Sequence, residues 1–320
     1  MAEWEPQSAV QLTWPHEHTD WAPILPEITA VYEEMAREIS KRESLIIVDD
    51  IPHNDTWARD HGFITVEETS DLSPQPSDLI LLDFKFNGWG EKFPADLDNQ
   101  INKQLFDKGL VKGVYEDHLD FVLEGGSIES DGKGTVFTTA CCLLAPHRNQ
   151  PLTAQQIEDR LKEYLGAERI VWLHHGSLIG DDTDGHIDTL VRICPDDTLL
   201  YTGGDEAHPD LYEMEHELQT LRTIEGKPYR LLKLPLPRPI YDTTAISHQP
   251  SAINRLPATY ANYLVINGAV LVPTYNQPDL DQEAMHVIQQ AFPDREIVGI
   301  DCRAVIKQHG SLHCCTMQYY

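Results

Sequence analysis

The chain has 320 residues, 41% of them hydrophobic and 8% aromatic, which is enough apolar material for a sizeable core and excludes a disordered chain. Its 52 acidic residues against 24 basic ones give a formal net charge of −28. Such a field repels nucleic-acid phosphate and anionic membrane, so neither is expected as a partner; it serves solubility or the attraction of a cationic ligand.

The N-terminal stretch MAEWEPQSAV has no basic and apolar regions of a secretory signal, and no apolar run approaches the roughly 20 residues that cross a bilayer. The six cysteines fall as two adjacent pairs, Cys141-Cys142 and Cys314-Cys315, and two singletons, Cys194 and Cys302. This is neither a disulfide framework nor a CxxC zinc site, and it points to free thiols in a reducing cytoplasm.

In chain order, helical periodicity of Ile28, Val31, Met35 and Ile39 predicts a helix over Glu27–Arg42, followed by a strand at Ser44–Val48. A polar, turn-rich segment covers Asn54–Gly62. A strand is expected at Asp78–Phe84, a break at Asn87-Gly88-Trp89-Gly90, and an amphipathic helix over about Asp96–Lys108. Phe121–Leu123 reads as a short strand, Thr135–Leu144 as a strand, and Ala154–Leu165 as a helix capped by Thr153. Strands are then expected at Ile170–Leu173, His186–Cys194 and Thr198–Tyr201, and a helix at Asp210–Thr223. The Pro-rich stretch Leu234–Tyr241 reads as a loop. Asn267-Gly268 centres a hairpin over Tyr263–Pro273. A helix at Asp281–Phe292 and strands at Ile297–Ile300 and Ser311–Gln318 complete the chain. Strands interleaved with helices, with no linker, predict one α/β domain over residues 1–320 with mixed sheets; no repeat signature is visible.

Four segments place reactive groups beside glycine. Trp57-Ala58-Arg59-Asp60-His61-Gly62 is either a salt-bridged turn or a loop presenting polar groups. Leu123-Glu124-Gly125-Gly126-Ser127 puts an acid at a strand end, in a bulge or at a cleft. In Thr183-Asp184-Gly185-His186-Ile187-Asp188-Thr189, strand geometry would put His186 and Asp188 on one face, as a structural pair, a base with its carboxylate, or metal ligands. Gly310-Ser311-Leu312-His313-Cys314-Cys315-Thr316 offers a nucleophile, and on a strand only one of the two cysteines could face a site. Together they supply a thiol, an imidazole and three carboxylates with no evident cation for every acid. A thiolate is favoured by positive neighbours, so this grouping makes sense when the positive charge arrives with the substrate, and a guanidinium suits it.

These segments resemble those of the agmatine deiminases and bacterial-type peptidyl-arginine deiminases of the guanidino-group-modifying superfamily. The resemblance runs from Thr13-Trp14-Pro15-His16 with Asp20-Trp21, through the four segments and Phe86-Asn87-Gly88-Trp89-Gly90. It closes at Asn267–Pro273, Phe292–Asp301 and His313-Cys314. It implies a five-bladed α/β propeller with the active site at its central channel and no metal or organic cofactor. By position it gives Cys314 as nucleophile, His186 as general acid/base, Glu124 as the acid that orients His186, and Asp60 and Asp188 as the guanidinium clamp. Family members often dimerise, so the resemblance admits a homodimer. Asp184, Thr189, Cys315 and Met317 depart from the family pattern and put the recognition of the substrate's far end in question. Trp14, Asp20, Trp89, Asp205 and Glu206 are candidates for it. Agmatine is the expected substrate; peptidyl-arginine, free arginine or another guanidine are alternatives. Two other readings are a metallohydrolase using His16-Glu17-His18, His174-His175 or His186 with Asp188, and a non-catalytic binder of polyamine-like cations.

Overall fold

The computed structural model describes residues 1–67, 79–242 and 255–320. Its described residues form five three-stranded sheets of one repeated pattern. In each, the first strand pairs antiparallel with the middle one and the third lies parallel to the middle one. They are β3-β4-β5 (Ile64–Glu67, Leu79–Lys85, Val114–Val122), β6-β7-β8 (Ile128–Ser130, Thr135–Thr139, Arg169–Leu173), β9-β10-β11 (Val191–Cys194, Thr198–Thr202, Arg230–Leu234) and β12-β13-β14 (Leu264–Ile266, Ala269–Thr274, Glu296–Asp301). The fifth joins the two ends of the chain: β15 (Thr316–Tyr319) pairs antiparallel with β1 (Ala9–Thr13), which pairs parallel with β2 (Ser44–Val48). These are the five blades of the α/β propeller.

A parallel pair needs a crossover, and here each is a helix. These are α1 (Leu25–Ser40), α2 (Ile101–Asp107), α3 (Ala154–Leu165), α4 (Pro209–Thr220) and α5 (Pro278–Ala291). α1 buries Ile28, Tyr32, Met35 and Ile39, one stripe at helical spacing; Val31 is only partly buried beside it. Thr153 closes a capping box with Gln156 at the start of α3, satisfying N–H groups that have no partner within the helix.

The structure departs from the sequence reading at several elements. The expected strand at Asp78–Phe84 is β4, with Asp78 itself outside the described residues. Thr135–Leu144 is a strand only to Thr139 and then a helical turn at Ala140–Leu143, because the Thr139 hydroxyl accepts from the Cys142 N–H and caps it. His186–Cys194 is a strand only from Val191; Ile187–Thr189 form a tight 3-10 turn, tied down by the Thr189 hydroxyl on the His186 carbonyl at 2.8 Å. Likewise His313–Cys315 turn before β15 begins. Strands β1, β3, β6 and β11 have no counterpart in the sequence reading; β1 is buried along its whole length and so shows no alternation.

Leu12, fully buried on the middle strand of the joining sheet, and the exposed cap Thr153 separate core from local contributions. In urea denaturation Leu12→Ala should cost about 2–5 kcal/mol, and Thr153→Ala only about 1 kcal/mol.

Candidate active site

The segments leading into the first strands of the five sheets converge, and each contributes a group. Asp60 comes from the connection into β3, Glu124 and Gly126 from that into β6, His186 and Asp188 from that into β9, Asn262 from that into β12, and Cys314 from that into β15. All of these side chains are buried, and Glu124, His186, Asp188 and Asn262 are 0% exposed.

Asp60 sits on the helical turn Ala58–His61. Its Oδ2 accepts from the Trp89 indole N–H at 3.0 Å, and its Oδ1 from the Gly126 N–H at 3.0 Å. That second bond requires glycine: a Cβ at Gly126 would stand 2.6 Å from His186 Nδ1 and 2.9 Å from Asp60 Oδ1. Burial pushes the Asp60 carboxyl above its ordinary value. The charges of Asp188 and Glu124 add to this, and His186 and the Gly126 N–H oppose it. Glu124 is held by Arg148, whose Nε lies 3.1 and 3.3 Å from its two oxygens. Arg148 is fixed in turn by Asp184 at 2.7 Å and the Thr183 carbonyl at 2.8 Å. The departure at Asp184 is thereby structural: it bridges Arg148 and Lys92.

His186 lies with Nδ1 3.7 Å from Asp60 Oδ1, and neither ring nitrogen has a hydrogen-bond partner among the described residues. It does not pair with Asp188, because the turn at Ile187–Thr189 replaces the strand that would have put both on one face. Asp188 instead holds His313, Oδ2 to Nδ1 at 2.8 Å, while its Oδ1 has no hydrogen-bond partner among the described residues. Burial would raise the Asp188 carboxyl, but the His313 hydrogen bond and charge outweigh it and hold it low. His313 continues to Glu3 at 3.0 Å, and Glu3 pairs with the buried Arg192, which also binds Glu129 at 2.5 Å.

Cys314 Sγ stands 3.8 Å from Asp188 Oδ2 and 3.4 Å from Asn262 Oδ1. Asn262 Oδ1 also accepts from the backbone N–H of His313 at 3.0 Å and of Cys314 at 3.3 Å, fixing the turn that carries the thiol. Burial, followed by the Asp188 and Asp60 charges, pushes the Cys314 thiol well above its ordinary value. Cys315 points away, toward Tyr32, and burial raises it to about 12.

Cys314 and Asp60 open on a cavity of about 220 Å³. Trp57, Trp89 and Phe93 supply its aromatic lining, and Asp20, Asp55 and Asp182 its further acids. Burial pushes Asp55 and Asp182 each up to about 6. Of the five far-end candidates, Trp89 and Asp20 line this cavity. Trp14 does not: its ring packs edge-on against Tyr32 at 5.7 Å in the core. Asp205 and Glu206 do not either; Asp205 is taken up by His208 at 2.7 Å.

Sequence reasoning missed Asn262, His313, Arg148, Asp55 and Asp182. Asn262 carries no motif, and Arg148 is recognisable only once Glu124 is seen to need a cation. Among the described residues, two groups have metal-ligating atoms gathered together: Glu124, Cys142 and His186, and Glu3, Glu129 and His313. The second is already bridged by Arg192. His16, His18, His174 and His175 join neither group.

Five such sheets around a buried thiol and acids that are only partly met by cations mark the class of enzymes that modify guanidino groups. Within it the chain belongs to the Porphyromonas-type peptidyl-arginine deiminase family, whose model matches residues 1–319. The agmatine deiminase of Medicago truncatula is 32% identical over 357 residues, spanning 99% of this chain and 95% of that protein. A solved structure from Porphyromonas gingivalis, provisionally called an arginine deiminase, is 47% identical with a TM-score of 0.89, covering 100% of this chain and 97% of that one. A cysteine-to-serine variant of the C. jejuni agmatine deiminase with substrate bound is 35% identical with a TM-score of 0.88, covering 100% and 95%.

Two outcomes follow from the geometry. In the ligand-free protein, alkylation of Cys314 should be slow at neutral pH and should accelerate only well above the ordinary thiol range. This is read as the difference between wild type and Cys314→Ser, since Cys141 is exposed whereas Cys314 is buried. Gly126→Ala should lower turnover at least about hundredfold, because it displaces His186 and Asp60 together.

Proposed function

We propose that the chain is an agmatine deiminase, hydrolysing the guanidinium of agmatine to N-carbamoylputrescine and ammonia through a covalent amidino-cysteine. The observation that carries this is the charge balance beside Cys314. Among the described residues Asp60 accepts hydrogen bonds only from the neutral donors of Trp89 and Gly126, with His186 at 3.7 Å, and one oxygen of the buried Asp188 has no hydrogen-bond partner. A planar cation with paired N–H groups completes both.

Asp60 and Asp188 hold the guanidinium with its carbon near Cys314 Sγ. Sγ adds to that carbon, and the thiol proton passes to His186. The imidazolium returns it to the departing amine, which leaves as ammonia. Water then adds to the amidino-thioether, giving its proton to His186. The C–S bond breaks, the ureido product leaves, and the proton returns to sulfur. Glu124, anchored by Arg148, supports the imidazolium electrostatically. The high thiol value is useful here, because the cation that must be attacked is also the charge that favours the thiolate.

Asp20, Asp55 and Asp182 favour a second positive charge at the substrate's far end, and among the described residues the lining includes His309 but neither lysine nor arginine for an α-carboxylate. The curated relatives named agmatine deiminases support the same reading. Peptidyl- or free-arginine deimination is the second reading, favoured by the family's description and by the P. gingivalis relative. We place the enzyme in the cytoplasm, in keeping with its six free thiols, with a homodimer as its proposed assembly. No helix among the described residues is long and apolar enough to cross a membrane.

With agmatine, free arginine and an N-acyl-arginine amide as substrates, agmatine alone should give ureido product, and Cys314→Ala should give none. Turnover of the amide but not of agmatine would establish the second reading. Asp182→Asn should raise the agmatine KM about tenfold, equivalent to about 1.4 kcal/mol, with kcat little changed. In wild type the KM should rise as pH falls through about 6, where Asp55 and Asp182 take up protons and lose their attraction for the ammonium.

A further inference from the structure

Behind the catalytic histidine lies a thiol that the proposed reaction does not use. Cys142, His186 and Glu124 are all buried, and their ligand atoms lie within 4.8 Å of one another. Among the described residues both ring nitrogens of His186 lack hydrogen-bond partners, although the residue is 0% exposed. An imidazole so buried gains from any partner that reaches it.

The backbone around the three groups is tied together. Cys142 stands in the turn Ala140–Leu143, whose cap Thr139 donates its hydroxyl to the Gly185 carbonyl at 2.6 Å, directly before His186. Arg148 Nε binds both Glu124 oxygens, at 3.1 and 3.3 Å, and orients the carboxylate as an outer hydrogen-bond partner orients a ligating one. A sulfur, a nitrogen and an oxygen donor form the set that soft and borderline divalent cations select, with water as a fourth ligand.

We propose that Glu124, Cys142 and His186 form a site for a divalent cation of the zinc type, and that occupancy of it reversibly inhibits the enzyme. Binding exchanges the Cys142 thiol proton, released to solvent, for a sulfur–metal bond. The ion takes the imidazole lone pair that proton transfer needs. The inhibition rests on the role of His186 given under Proposed function; the binding does not.

The test uses the full chain with Co2+ as optical probe and Zn2+ as inhibitor. One Co2+ per chain should give thiolate-to-metal charge-transfer absorption. The band should persist in Cys314→Ala and vanish in both Cys142→Ala and the near-isosteric Cys142→Ser. Cys142→Ser should turn over normally without metal and be inhibited by Zn2+ at least about tenfold more weakly than wild type. Chelator should restore wild-type activity. Absence of the band, its survival in the Cys142 variants, or its loss in Cys314→Ala, which would place the ion on the nucleophile, overturns the site. A band from Cys142 with turnover undiminished overturns the inhibition and the role of His186 as proton carrier, and leaves the site standing.

Discussion

Burying Asp60, Glu124 and Asp188 around one thiol takes negative charge out of water, and each charge must be met or borne as a cost. The three are met unequally. Glu124 has a full guanidinium in Arg148. Asp188 has His313 on one oxygen and, among the described residues, no hydrogen-bond partner on the other. Asp60 has two neutral N–H donors and a histidine at 3.7 Å. The residual negative charge lies where Cys314 faces the cavity, and it acts on the thiol before any substrate arrives. A site built this way is incomplete until a cation enters, and a guanidinium supplies both charge and the matching donor geometry.

The fivefold scaffold makes this concentration of charge structurally tractable. Every sheet is entered through the central region, so the five connecting segments deliver Asp60, Glu124, His186 with Asp188, Asn262 and Cys314 to one place. The backbone supplies much of what holds them. Asn262 ties two N–H groups of the Cys314 turn to a single oxygen, and the Gly126 N–H reaches Asp60 because no side chain intervenes. The Asp188–His313–Glu3–Arg192–Glu129 chain carries the charge balance away from the site toward the N-terminal segment. Glu3, far from any motif, thus belongs electrostatically to the site.

Cys314, His186, Glu124, Asp60 and Asp188 were legible because each sits beside a glycine or a strand end in a segment whose chemistry is unusual as a set. The helices were legible where a stripe of apolar residues met a cap, as in Ala154–Leu165, and the Asn267-Gly268 hairpin by its turn residues. Asn262 was not, since an asparagine in an apolar stretch gives no local sign of what its amide will hold. Trp14 misled for the opposite reason: it lies in a matching motif, yet its ring closes a core contact with Tyr32.

The sequence by itself determined the reactive groups, the cationic character of the ligand and the α/β alternation, because composition, glycine placement and hydrophobic period are local properties. Only the tertiary structure decided the partners. Strand periodicity paired His186 with Asp188, but a turn fastened by the Thr189 hydroxyl separated them and gave Asp188 to His313, 125 positions away. Closure of β15 on β1 likewise brings the last residues to the first. Which carboxylate stays unpaired depends on every cation that folding brings within reach, and that balance exists only in the assembled ring.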